Sequence, residues 1–149
     1  NCLPTVGITT GSGTKTFYGS ELNKLGSVLN FHCAGVYTTP GGNAATMTPK
    51  IKFVGVPLSG TATVMPSTQT NSRWYFDVEC VVTVIGASGS MQCDGSFVYS
   101  NSGVWTEISL SGARTVNTTT SNTFNLTTVW SSVAGGQDMT GNQGWIEAH

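Results

Sequence analysis

Asp77 and Glu79 are the closest carboxylate pair in a chain with seven Asp and Glu, so any acid–base chemistry would start there. Glycoside hydrolysis needs two carboxyl groups facing each other across a cleft, about 5–5.5 Å apart for retention and about 6.5–9.5 Å for inversion. Two positions apart on a strand, the pair would span about 6.5–7 Å. That falls in the inverting range, but both groups would stand on one sheet face with no gap between them. The pair therefore reads first as a solvated sheet face or a subunit contact. Other templates fail outright. There is no Gly-x-Ser-x-Gly; the run Gly86-Ala87-Ser88-Gly89 is a hairpin turn. Gly11-Ser12-Gly13-Thr14-Lys15 resembles a phosphate loop only superficially, lacking the four-residue spacer and the strand–loop–helix setting, and reads as a linker. The expectation is a protein that is not an enzyme, with no catalytic residue and no cofactor.

The cysteines are Cys2, Cys33, Cys80 and Cys93. No C-x-x-C or Cys/His spacing marks a metal site. His32 adjoins Cys33, but neighbours on a strand face opposite sides, so no metal is expected. Cys80 and Cys93 share one face of a predicted hairpin. A bridge between them is conceivable; two small buried hydrophobes is the first reading, because cysteine is among the most buried residue types.

Aromatic faces stack on sugar C–H groups, and the chain has four Trp and four Tyr. Trp74 shares the core parity of its hairpin. Tyr37 and Trp105 flank turns and are the candidate sugar contacts, while Trp130 and Trp145 are unassigned by pattern. Asn117-Thr118-Thr119 and Asn125-Leu126-Thr127 match the N-glycosylation pattern, which carries meaning only in a secretory pathway.

The elements that would carry these residues are strands. In residues 73–100, Trp74, Phe76, Val78, Cys80, Val82 and Val84 alternate with Asp77, Glu79 and Thr83. After the turn the parity switches to Met91, Cys93, Phe97 and Tyr99. With Ile85 opposite Ser90, Val84 faces Met91, Val82 faces Cys93 and Val78 faces Phe97, so both strands bury one side. Leu29, Phe31, Cys33 and Tyr37 alternate likewise, as do Met47, Ile51 and Phe53. Breaks fall at residues 40–43, 57–60, 66–72 and 101–103. Turn signals this regular, with no convincing long helix, suit a sandwich or barrel.

Composition agrees. Only 9% of residues are charged and 38% are hydrophobic, a balance that favours strands and turns over disorder. A net charge of −1 leaves no basic footprint for nucleic acid. No apolar run approaches the roughly 20 residues of a membrane span, so no membrane insertion is expected. The first residue is Asn1, which reads as a trimmed N-terminus or a fragment.

Several runs then resemble a family of small jelly-roll domains of tailed bacteriophages, found as tail-fibre tips and head-surface proteins. Leu22, Leu25 and Gly26 match an L-x-x-L-G turn. Gly35-Val36-Tyr37-Thr38-Thr39 matches a strand ending in G-x-Y-x-T, and residues 46–55 match T-x-T-x-x-I-K-x-G loosely. Residues 82–89 match V-x-x-I-G-A-S-G. Residues 117–130 match a D-T-T-x-S-N-T-x-x-L-T-x-x-W run, with Asn117 in place of Asp, and residues 144–148 match the closing strand. The resemblance implies an all-β fold, an antiparallel β-sandwich with jelly-roll topology and about eight or nine short strands. Residues 14–149 would form it behind an N-terminal arm, residues 1–13. It also implies a structural protein on the virion surface, assembled in the host cytoplasm. The role would be a homotrimeric capsid decoration or cement knob or a fibre tip, with a major capsid or tail protein as partner. The alternative is a carbohydrate-binding module of a tail fibre that reads a host surface glycan. No catalytic residue belongs to the pattern.

Tyr75, Val81 and Ile85 interrupt the polar parity of the hairpin and are the candidate subunit interface, since exposed apolar groups on a free sheet invite association. The competing reading is that the arm, with Leu3, Val6 and Ile8, covers that face within one subunit.

Overall fold

The computed structural model describes residues 14–42, 45–53, 57–131 and 136–149. The expected N-terminal arm, with Leu3, Val6 and Ile8, lies outside these residues, as does most of the phosphate-loop look-alike. In chain order the elements are β1 (Thr14–Phe17), a single helical turn α1 (Gly19–Leu22), β2 (Val28–Thr39), β3 (Thr46–Lys52), β4 (Pro57–Ser59) and β5 (Thr63–Val64). Then come β6 (Gln69–Val84), β7 (Ser90–Asn101), β8 (Val104–Thr115), β9 (Asn122–Trp130) and β10 (Asp138–Ala148). The fold is the all-β antiparallel sandwich that the alternation predicts. One sheet runs β10-β2-β6-β7-β8; the other runs β1-β9-β3-β4, with β5 also paired to β3.

Period two decides what is buried. β2 turns Leu29, Phe31, Cys33 and Tyr37 inward; β6 turns in Trp74, Phe76, Val78, Cys80 and Val82; β7 turns in Met91, Cys93, Phe97 and Tyr99. The second sheet answers with Met47, Ile51, Phe124 and Leu126. Phe124 is a hub between the sheets, its ring 5.3 Å from Phe17, 5.9 Å from Phe31 and 5.0 Å from Phe53. Such ring pairs each add about 0.5–1.5 kcal/mol beyond their buried area.

Gly35 sits where only glycine fits. A Cβ there would lie 1.8 Å from the Thr140 carbonyl oxygen and 2.8 Å from Cζ2 of Trp74. The indole thus lies across the glycine, and its Nε1–H donates to the Val36 carbonyl at 3.0 Å.

The hairpin buries the expected side, but its register is two residues away from the one predicted. Val82 faces Met91, Cys80 faces Cys93, and Phe76 faces Phe97. An irregularity between Val82 and Val84 brings Val84 opposite Ser90, and Ile85 joins the loop. There the Thr83 hydroxyl bonds the Ser90 hydroxyl at 2.7 Å. A slip of two leaves the side chains from Trp74 to Val82 on their face, which is why their burial survived the wrong register. Val84, expected on the core side, lies past the irregularity and is 49% exposed. The true register puts the two cysteines directly opposite, with Cα atoms 4.0 Å apart, and they form a disulfide. That corrects the first reading of them as separate buried hydrophobes. The predicted break after residue 56 also holds a short strand, β4, which adds to the edge of the β3 ladder.

Phe97 stacks on Trp74 with ring centroids 5.6 Å apart and is 1% exposed. Phe97→Ala should therefore cost about 3–5 kcal/mol. Replacing Cys80 and Cys93 together by Ala should cost about 3 kcal/mol, as expected for a short closed loop. Denaturant unfolding measures both, and a loss under 1 kcal/mol for Phe97→Ala would contradict this core.

Candidate functional site

The outward face of the β10-β2-β6-β7-β8 sheet gathers the chemistry-bearing side chains into ranks, because directly paired residues share a face. One rank runs Trp145, His32, Asp77, Ser96, Ser109. The next runs Gln143, Ala34, Tyr75, Val98, Glu107. A third, on the other side of the first, runs Glu147, Asn30, Glu79, Asp94, Ser111. These three ranks hold five of the seven carboxylates. Two basic residues lie on the five strands. Arg73 is exposed on the outward parity, whereas Arg114 takes the inward parity and donates to the Pro57 carbonyl at 3.2 Å.

Two aromatic pairs stand on this face. Tyr75 and Trp105 are 43% and 52% exposed, with ring centroids 5.6 Å apart and planes tilted by 54°. Val98 lies between their strands with outward parity, yet it is only 5% exposed. It gives the pair an apolar floor. Trp145, 54% exposed, lies over His32 at 4.8 Å. His32 Nδ1 is 3.4 Å from Asp77 Oδ1. Between the pairs is a cleft of about 130 Å³ lined by His32, Tyr75, Asp77, Gln143 and Trp145. A second cleft of about 390 Å³ adjoins it, bounded by Arg73, Tyr75, Trp105, Asn142 and Gln143. Both share Ala34, Tyr75 and Gln143. Asn142 is the extra residue at an irregularity in the β10–β2 ladder between Gly141 and Gln143, and such a bulge re-aims nearby side chains.

The candidate residues fare differently. Trp105 is exposed, as its turn-flanking place suggested. Tyr37 is not: it is 1% exposed, and its hydroxyl donates to the Ser100 carbonyl at 2.6 Å. The parity of β2 outweighs its nearness to a turn, so Tyr37 is corrected from sugar contact to core residue. Tyr75 and Ile85 are exposed and Val81 is half-buried. Tyr75 stands in the aromatic face, while Val81 and Ile85 lie toward the hairpin turn, so the three do not form one compact patch. Asp77 and Glu79 stand in neighbouring ranks of one open sheet face. Pattern alone left Trp145 unassigned, although its alternation with the half-buried Ile146 carried the signal for an outward indole.

Among the described residues, no three His, Cys, Asp or Glu side chains group as a metal site would require. In comparisons with known proteins, no family model, curated protein or solved structure matches the chain.

Burial pushes the Tyr37 phenol from its ordinary 10.0 up to about 12, with Tyr99 nearby adding to the shift. The folded state therefore holds this proton more tightly than the unfolded chain does. The resulting stability is complete below pH 10.0 and is lost as pH rises through about 12. Tyr37→Phe should remove that part of the alkaline destabilisation. Unfolding curves for both proteins between pH 8 and 12 should converge; curves that stay parallel would contradict the buried, protonated phenol.

Proposed function

We propose that this chain is a non-enzymatic module on the exterior of a tailed-phage virion, a fibre tip that reads a host surface glycan. One observation carries the glycan reading: two outward-facing aromatic pairs, Tyr75–Trp105 and the half-buried His32 with the exposed Trp145, bound adjoining clefts on one sheet face. Tyr and Trp offer large rigid contact area at low entropic cost, and Gln143 and Asn142 bring amide groups to the same clefts. The phage setting rests on the sequence resemblance. The Cys80–Cys93 disulfide supports an exterior life, because disulfides persist in oxidising surroundings. Oxidation would then follow release from a reducing host cytoplasm. The non-enzymatic reading draws on Asp77 and Glu79 sharing one open face. Release of reducing sugar from host glycans, abolished by Asp77→Asn, would overturn it.

A glycan array probed with the labelled chain should show binding to a defined subset of host glycans. Trp105→Ala should weaken that binding at least ten-fold, about 1.4 kcal/mol, without lowering stability. An array blank for the wild-type chain would rule the glycan reading out.

The outward Tyr75, Val81 and Ile85 favour a second reading, a homotrimeric decoration or cement knob in which they are buried between subunits and against a major capsid or tail protein. The two readings compete for Tyr75. Light scattering at micromolar concentration should give a trimer mass in this second case, and Tyr75→Ala should lower it. A monomer mass for the wild type would sink self-assembly through this face.

A further inference from the structure

We propose that the adjoining clefts on the outward sheet face take a glycan carrying an ammonium group, with the ammonium seated beside Asp77 and a sugar ring across Tyr75 and Trp105. This deepens the glycan-binding reading and rests on it.

The two clefts differ in size and in charge. Whole-ligand pockets span roughly 300–1,000 Å³. The cleft bounded by Arg73, Tyr75 and Trp105 reaches that range at about 390 Å³. The cleft beside Asp77, at about 130 Å³, does not, so it suits a substituent better than a ring. Its walls carry the features that recognise an organic cation. Tyr75 and Trp145 contribute aromatic rings, whose faces attract a cation through the ring quadrupole. Asp77 contributes a carboxylate whose side chain is 59% exposed. No Lys or Arg lines this cleft; Arg73 borders only the larger one. Glu79 and Glu107, in the flanking ranks, add to a negative field over the same strands, and such a field raises the local concentration of cations. A ligand bridging both clefts would wrap around Tyr75, which lines both. Asp77 Oδ1 already faces His32 Nδ1 at 3.4 Å, so an ammonium would take the exposed side of the carboxylate, whereas a neutral glycan would use the rings alone. An acidic glycan would bring its charge toward Asp77, Glu79 and Glu107.

The test uses two oligomers with the same linkage. A β-1,4-linked glucosamine tetramer carries free amines, and its fully N-acetylated counterpart carries none. Isothermal titration with the full chain should show the amine form binding at least ten-fold tighter. Asp77→Asn should remove that preference, and Asp77→Glu should keep most of it. Asp94→Asn, an exposed carboxylate outside the cleft, should leave the preference intact. Equal loss of preference in Asp94→Asn and Asp77→Asn would mean a diffuse field is responsible, and would overturn the site. Equal affinity of the wild type for both oligomers would overturn the ammonium assignment while leaving the glycan reading standing. Binding to neither oligomer would overturn it as well, and the array would then decide whether the glycan reading survives.

Discussion

The pairing of β6 with β7 sets the terms for the rest of the molecule, and the covalent bond between Cys80 and Cys93 fixes that pairing. A one-residue slip between these strands would turn Trp74, Phe76 and Val78 toward solvent and Tyr75, Asp77 and Glu79 into the core. The bridge admits no such slip. Because β6 also pairs with β2, and β2 with β10, the same register passes across the sheet to Trp145. It passes through β7 and β8 to Trp105. The candidate site is therefore a consequence of register, since its residues come from four strands and are far apart in sequence.

Packing on the inward side supports this arrangement. Trp74 lies over Gly35 and bonds the Val36 carbonyl, which holds β6 against β2 beneath Ala34 and Tyr75. Gly95 does the same one strand over: a Cβ there would meet the Asp77 carbonyl oxygen at 2.2 Å. The strand segment carrying Tyr75 and Asp77 is thus held by the Trp74 indole against β2 on one side and by a close backbone approach of Gly95 on the other. A site on such a segment loses little freedom on binding.

Alternation made the fold class legible, because period two is a local signal written into each strand. The same signal placed Phe76, Val78, Met91 and Phe97 correctly. Register was less legible, because the turn is held by a distant residue: the Gly86 N–H donates to the Thr118 hydroxyl at 2.8 Å. Nothing within residues 73–100 announces that contact. Tyr37 shows a different failure. Its nearness to a turn suggested exposure, while the alternation of its own strand said core, and the alternation was the better guide. The aromatic face itself was out of reach, since Trp145, Tyr75 and Trp105 come onto one face only after five strands have been ordered.

One topological detail bears on time rather than on equilibrium. β9 lies between β1 and β3, and the Thr16 and Thr123 hydroxyls that meet at 3.1 Å are 107 positions apart. β10, similarly, completes the edge beside β2. The β6-β7-β8 meander has local contacts and can assemble early, whereas β1 and β3 have no common neighbour until β9 arrives. Non-local closure of this kind slows folding to milliseconds or longer. It also slows escape, because opening the second sheet requires withdrawing a strand held on both edges. The lifetime of the folded chain then depends on the height of its unfolding barrier as well as on the depth of the folded well.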